Sequence, residues 1–283
     1  MLRIYISFQP KYELNTVIRL AMKNIEARTI WISDVHLGFK GCQADALSHF
    51  LHSISCEKLY LVGDIIDVWN MKRGLFWPQE HNNIARTVLG LAKKGIEVIY
   101  IPGNHDEILR QYNGLSFGNI KIRNRVVHET ANGKKLMVMH GDEFDSVIKC
   151  HPFVAQVGCY AYDYLLEINH WVNMLRKKLG KPYWSISAYL KYKVKNAVNF
   201  ISQYEHILAD AARAEGVDGI VCGHIHHAQV DKIGEIDYYN TGDWVESCTA
   251  LLEGYDGEIS LIRWSEYLNR TMRSGEKKLP QAA

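Results

Sequence analysis

Residues 58–67 read KLYLVGDIID. Leu59 to Val62 form the short run of aromatic and branched apolar residues expected of a buried strand. The run stops at Gly63-Asp64, where a carboxylate follows a residue with no side chain. The same arrangement recurs on both sides, in RTIWISDVH (28–36), EVIYIPGNHD (97–106), KKLMVMHGD (134–142) and GIVCGHIHH (219–227). Each apolar run closes on residues able to hold a metal: Asp34 and His36, Asp64, Asn104, His140, and His224 with His226. Five such loops in sequence place all the candidate ligands on one edge of a sheet. In open α/β sheets that edge, beyond the carboxyl ends of the strands, is where sites form.

Between the first three runs the spacing predicts helices over 43–54 and 81–94, with Gly95 as the stop after the second. Strands alternating with helices argue for layered α/β architecture. Beyond residue 228 the pattern changes. Residues 235–240 and 249–264 read as antiparallel strands, with Asp256-Gly257 turning a hairpin. The expected organisation is an N-terminal tail over 1–27, a domain over 28–264 and a C-terminal tail over 265–283. Met22 stands just ahead of the first motif and is a candidate natural start.

Residues 145–205 differ from the rest. They carry 11 aromatic residues, and 8 Lys and Arg against 4 Asp and Glu, a local charge of +4. Their periodicity is helical, so they read as a helical cap inserted over the site. Elsewhere the chain is ordinary for a globular protein: 47% hydrophobic, 23% charged and net +2 over 283 residues. With so little net charge, no nucleic acid partner is expected. The six cysteines form no C-x-x-C pair, and no secretory signal is visible, so they read as reduced thiols of a cytoplasmic protein.

The ligand set is Asp, His and Asn without thiolate, which suits Mn, Fe or Zn. Asp64 has two carboxylate oxygens and is placed to bridge two ions. Seven ligands with one shared give two sites of four, a dinuclear centre able to clamp the attacking and leaving oxygens of a displacement at phosphorus. On an extended segment, Asp34 and His36 at i and i+2 face the same way.

The five motifs D-x-H, G-D-x-x-D, G-N-H-D, H-G-D and G-H-x-H stand here as Asp34–His36, Gly63–Asp67, Gly103–Asp106, His140–Asp142 and Gly223–His226. In that order they resemble the calcineurin-like metallophosphoesterase superfamily. The resemblance implies an α/β/β/α sandwich. It implies one ion on Asp34, His36, Asp64 and His226, and a second on Asp64, Asn104, His140 and His224, with Mn2+ the expected metal. It also implies that His105 protonates the leaving oxygen or steadies transition-state charge, with Asp67 and Asp106 orienting the ligands.

Within the superfamily, GDIIDVW (63–69), Trp77-Pro78-Gln79 and the aromatic-basic segment look like the UDP-2,3-diacylglucosamine diphosphatases of lipid A synthesis. That likeness implies cleavage of a lipid-linked nucleotide sugar to UMP and a diacylglucosamine 1-phosphate, and peripheral contact with the inner face of the inner membrane. The best-known branch reads G-N-R-D where this chain has His105, which leaves the branch and substrate open. Another phosphodiester, nucleotide or phosphoprotein is the alternative substrate, and a non-catalytic scaffold of the same fold is a remote one. Trp69, Trp77 and Lys193 are candidate substrate contacts; plain packing fits the two tryptophans equally. The histidines outside the motifs read as ordinary core or surface residues.

Overall fold

The computed structural model describes residues 25–145 and 186–268, with the side chains of 186–199 left aside. Two β-sheets carry the site. The first has seven strands: β2 (Thr29–Ile32), β4 (Lys58–Val62), β5 (Glu97–Ile101) and β7 (Ile120–Ile122) run parallel, flanked by antiparallel β13 (Thr249–Glu253), β14 (Ile259–Arg263) and β6 (Ser116–Phe117). In the second, β9 (Lys135–Val138), β10 (Gly219–Cys222) and β12 (Ile236–Asn240) are parallel, with β8 (Val126–Glu129) and β11 (Gln229–Ile233) antiparallel at the edges. A small pair, β1 (Ile25–Glu26) with β3 (Ile54–Ser55), stands beside them.

The central strands are apolar on both faces because both faces are covered. Ile30, Ile32, Leu59, Leu61, Val98 and Tyr100 pack against helices α1 (Ala44–Ser53) and α3 (Gln79–Lys93), which contribute Leu47, Phe50, Leu51, Ile84 and Leu91. The alternate residues Trp31, Tyr60, Val62, Ile99 and Ile101 meet Leu136, Val138, Val221 and Tyr239 between the two sheets. On the far side, Met137, Met139, Ile220 and Tyr238 pack on Tyr204, Leu208 and Ala212 of α4 (Ile186–Ala214). Four layers result, the α/β/β/α sandwich that the motifs implied.

The predicted helices appear at 44–53 and 79–93, and Gly95 takes the left-handed conformation (φ 101°) just past the second. The hairpin at Asp256-Gly257 joins β13 to β14. Two expectations need correction. β12 is antiparallel to β11 but parallel to β10, so its carboxyl end reaches the same edge as the motif loops. A hydropathy pattern reports which faces are buried and not strand direction. Helix α4 also runs past residue 205, and its second half is the outer layer of the second sheet; helical period does not say what a helix covers. Residues 146–185, the greater part of the predicted cap, lie outside the described residues, as does the side chain of Lys193.

One buried polar chain crosses between the sheets. The carboxylate of Glu253 is fully buried and accepts from Arg28 Nη1 (2.6 Å), the Ala131 amide (2.7 Å) and His128 Nε2 (3.0 Å), and His128 Nδ1 lies 3.2 Å from the Tyr60 hydroxyl. Burial works to raise the Glu253 pKa, but these donors hold it down to about 2 against an ordinary 4.5. A depressed carboxyl pKa stabilises the fold above the unfolded value and loses that contribution as pH falls through the folded value. Glu253→Gln should therefore destabilise the protein by about 2–3 kcal/mol at pH 7. In thermal melts the gap between variant and parent should close as pH drops from 4.5 toward 2. A gap that is constant with pH would show that the charge contributes nothing.

Candidate metal centre

The motif loops leave their strands through backbone that side chains seldom adopt. Asp34, His36, Asp64, His224 and His226 all have positive φ, between 51° and 71°. Such positions cost on the order of 1 kcal/mol or more each and collect at functional sites. Asp34 and His36 therefore converge through two left-handed kinks and not, as expected, by lying on one face of an extended segment. Gly63 and Gly103 are glycine for a steric reason. A Cβ at Gly63 would run into the His140 ring, and one at Gly103 into Asp64 and His140.

Five of the seven predicted ligands meet, with His105 beside them. Asp34, His36 and His226 form one group whose ligand atoms lie within 4.8 Å of one another; Asp34, Asp64 and His140 form a second; His36, Asp64 and His105 form a third. Asp34 and Asp64 are members of two groups each, as shared carboxylates would be. Asp64 Oδ2 is 3.4 Å from His140 Nε2 and 4.0 Å from His36 Nε2, and Asp34 Oδ1 is 3.2 Å from His226 Nε2.

Three of the imidazoles are aimed by the nitrogen facing away from the cluster. Asp67 caps helix α2 (Val68–Arg73), accepting from the Asn70 amide at 2.9 Å, and also takes His36 Nδ1 (3.2 Å) and His105 Nδ1 (2.9 Å). An ionised carboxylate only accepts, so both rings carry their proton on Nδ1 and turn Nε2 inward. His140 Nδ1 donates to the Val62 carbonyl (2.9 Å) with the same result. Asp106 ties the loops themselves together. It accepts from the amides of Ile65 (2.9 Å), Ile66 (3.2 Å) and Gly103 (2.6 Å) and from the Tyr100 hydroxyl (2.5 Å).

Asn104 Oδ1 is buried without a hydrogen-bond partner, and Asp34 Oδ1 and His140 Nε2, also buried, meet only other members of the cluster, His226 and Asp64, at 3.2 and 3.4 Å. Buried polar atoms are normally satisfied, so these three fit a cation. Burial acts to raise the pKa values of Asp34 and Asp64, yet His226 beside the first and His140 beside the second hold both below the ordinary carboxylate value. Burial likewise opposes charge on the histidines, but Asp64 pushes His140 up to about 10 and Asp34 pushes His226 up to about 9. Two divalent ions would take the place of those protons, and affinity for them falls as pH falls.

His224 is placed differently. Its ring lies 5.2 Å from that of His140, but its Nε2 is bonded to Asp145. Trp69 leans over His105, with ring centroids 4.6 Å apart, and the two share a cleft of about 210 Å3 with Val68, Lys72, Glu107 and Ile108. Trp77 does not join them. Its ring packs on His81 at 5.6 Å and its N–H on Asn82 at 2.9 Å, because residues 77–79 open a helix of the outer layer.

The structure adds a sixth loop to the five legible in the sequence. Asn240 to Trp244 follows β12, and its Thr241 hydroxyl contacts Ser33, which bonds Asp34; Asn240 Nδ2 holds the Gly223 carbonyl at 2.9 Å, and the Trp244 amide the Asp34 carbonyl at 3.0 Å. This loop too follows an apolar strand that closes on polar residues, but the run contains no histidine, and hydropathy does not show that β12 runs parallel to β10.

Fold and cluster together define a metal-dependent phosphoesterase. The model for calcineurin-like phosphoesterases matches residues 27–228, and the chain belongs to that family. Its relatives include proteins named UDP-2,3-diacylglucosamine hydrolase. That of Aliivibrio fischeri is 26% identical, covering 82% of this chain and 96% of that protein. That of Blochmanniella pennsylvanica is 25% identical, over 72% of this chain and 81% of the relative. That of Neisseria meningitidis is 23% identical, over 81% and 94%.

Asp64 stands where the groups overlap. Asp64→Ala should abolish uptake of both ions and essentially all turnover, since no other oxygen can replace a shared carboxylate. Elemental analysis finding two ions retained per chain would refute the sharing.

Proposed function

We propose that this chain hydrolyses the pyrophosphate bond of a UDP-linked, diacylated glucosamine, releasing UMP and a diacylglucosamine 1-phosphate. Two divalent ions, Mn2+ in our reading, would be held by Asp34, His36, Asp64 and His226 and by Asp64, Asn104, His140 and His224. The observation that supports the chemistry is the cluster of Asp34, His36, Asp64, His140 and His226, with the orphaned buried oxygen of Asn104 beside it. The support for the substrate is the shared name of relatives aligned over most of their length.

Bound ions supply Lewis-acid charge stabilisation and lower the pKa of water. The chain's own residues do the rest. Asp67 fixes the His105 ring so that Nε2 faces the cluster, 3.9 Å from Asp64 Oδ2. Burial disfavours charge on His105, but the Asp67 hydrogen bond and the Asp64 carboxylate raise its pKa. An imidazole whose charged form is favoured at that point is suited to give a proton to the leaving oxygen or to oppose its developing charge. Trp69 and Lys72, on the open side of His105, offer apolar area and positive charge for the departing group.

No helix among the described residues is long and apolar enough to cross a bilayer. Contact with the inner face of the inner membrane would instead be peripheral, drawing on the basic and aromatic residues of 145–205. A basic residue close to an anionic surface contributes about 1 kcal/mol.

His105 also lies in one of the three ligand groups, so its role is open to a direct test. His105→Ala should keep both ions and lose roughly 10²–10⁴-fold in turnover. Loss of an ion would reassign it as a ligand, and unchanged turnover would remove it from the reaction. For the substrate, purified Mn2+-loaded protein should turn over UDP-2,3-diacylglucosamine well above bis(p-nitrophenyl) phosphate and UDP-glucose. Phosphorus NMR should show UMP and a sugar phosphate. A preference for the soluble diesters would point to the alternative, a general phosphodiesterase of the same core.

A further inference from the structure

We infer that Asp145 is the positioning residue of His224. Its carboxylate accepts the Nε2–H, fixing the tautomer that leaves Nδ1 as the bare nitrogen for a cation. The inference rests on the two-ion reading above and adds to it the atom and the residue that set one ligand.

Both oxygens of Asp145 stand on His224 Nε2, at 2.8 and 2.9 Å. A carboxylate cannot donate when ionised, so the proton on this edge of the ring belongs to Nε2, and a neutral imidazole then offers Nδ1 alone. The backbone limits where that nitrogen can go. His224 has φ 71°, its amide donates to Asp34 Oδ2 at 3.0 Å, and its ring stands edge-on to His140. His224 is thus held at both ends, by Asp34 through the main chain and by Asp145 through the ring.

Asp145 is itself held. It ends the turn that begins at Gly141 (φ 107°), with its amide bonded to the Asp142 carbonyl at 3.1 Å. The Asp142 carboxylate is gripped by Arg110 at 2.6 and 2.8 Å, and Arg110 also reaches the Pro102 carbonyl, next to the G-N-H-D loop. The turn that supplies His140 thereby also supplies the anchor for His224. The arrangement repeats what Asp67 does for His36 and His105 and what the Val62 carbonyl does for His140. In the competing reading, Asp145 stands where a cation would sit and Nε2 is the ligand atom; removing Asp145 would then leave affinity unchanged or raise it.

The test compares metal-stripped wild type, Asp145→Ala and Asp145→Asn by calorimetric titration with MnCl2, with 15N shifts of the His224 ring assigned through His224→Gln. Asp145 is partly exposed, and matching melting curves would establish that the variants are folded. Wild type should bind two ions and show Nε2–H at His224. Asp145→Ala should weaken one site roughly 10–100-fold, leave the other unchanged, and lose the single tautomer. Asp145→Asn keeps an acceptor oxygen and should retain most of the affinity. Equal or tighter binding at both sites in Asp145→Ala, or Nδ1–H in wild type, would overturn the inference alone. Wild type binding fewer than two ions would overturn the two-ion reading and this inference with it.

Discussion

Two carboxylates held within ligand reach of each other and out of water repel, and that repulsion must be answered by positive charge. Asp34 and Asp64 are in this position, both almost fully buried. Four imidazoles, His36, His105, His140 and His226, surround them, and burial works against charge on the two acids and on His105, His140 and His226. Among those five groups the opposite charges favour one another more strongly than burial disfavours each. A cluster of this kind is expensive to assemble, and most of the surrounding structure is occupied in holding it.

The holding is done from behind. Asp67, Asp106 and the Val62 carbonyl all bind the side of a ring or loop that faces away from the cluster. Asp106 shows the cost most clearly. Burial and the neighbouring Asp64 push its pKa up, and it is surrounded by backbone amides and the Tyr100 hydroxyl. Those donors belong to two separate motif loops, so a single buried carboxylate sets their spacing. The left-handed residues add strain that the loops alone could not sustain. They persist because both flanking sheets are packed on both faces, leaving the strand ends little freedom to relax.

The same arrangement separates chemistry from selection. Groups that could hold or orient cations come from the carboxyl ends of β2, β4, β5, β9, β10 and β12, which the sandwich keeps fixed. In the proposed reaction the groups that would face a substrate beyond the phosphorus, Trp69 and Lys72, come from the short exposed helix α2, attached to the core through the Asp67 cap. Substitutions on α2 can therefore alter what is bound with little effect on how cations are held, as long as Asp67 stays. His105 sits at the boundary, with its backbone amide on Asp64 and its ring against Trp69.

Much of this was legible in the chain itself. Apolar runs with both faces buried are nearly continuous, so β2, β4, β5, β9 and β10 stand out, and each closes on its ligand. The helices of the first outer layer follow from their period and from Gly95. The residue types at Asp34, His36, Asp64, Asn104, His140, His224 and His226 name the chemistry, because few other reactions call for that mixture. Tertiary structure alone decided the rest. Strand direction does not alter hydropathy, so β12 and the Asn240–Trp244 loop were not assigned to the site edge. A helical period does not specify a partner, so the cap reading, which ended at residue 205, took in the start of the half of α4 that packs on the second sheet. Trp77 and Trp69 are the same residue type a few positions apart, yet one packs behind α3 and the other faces His105. Which nitrogen of each histidine is free is set by groups far away in sequence: Asp67 for His36, Val62 for His140 and Asp145 for His224. Side-chain chemistry is written locally, whereas orientation depends on contacts that exist only once the two sheets have closed on each other.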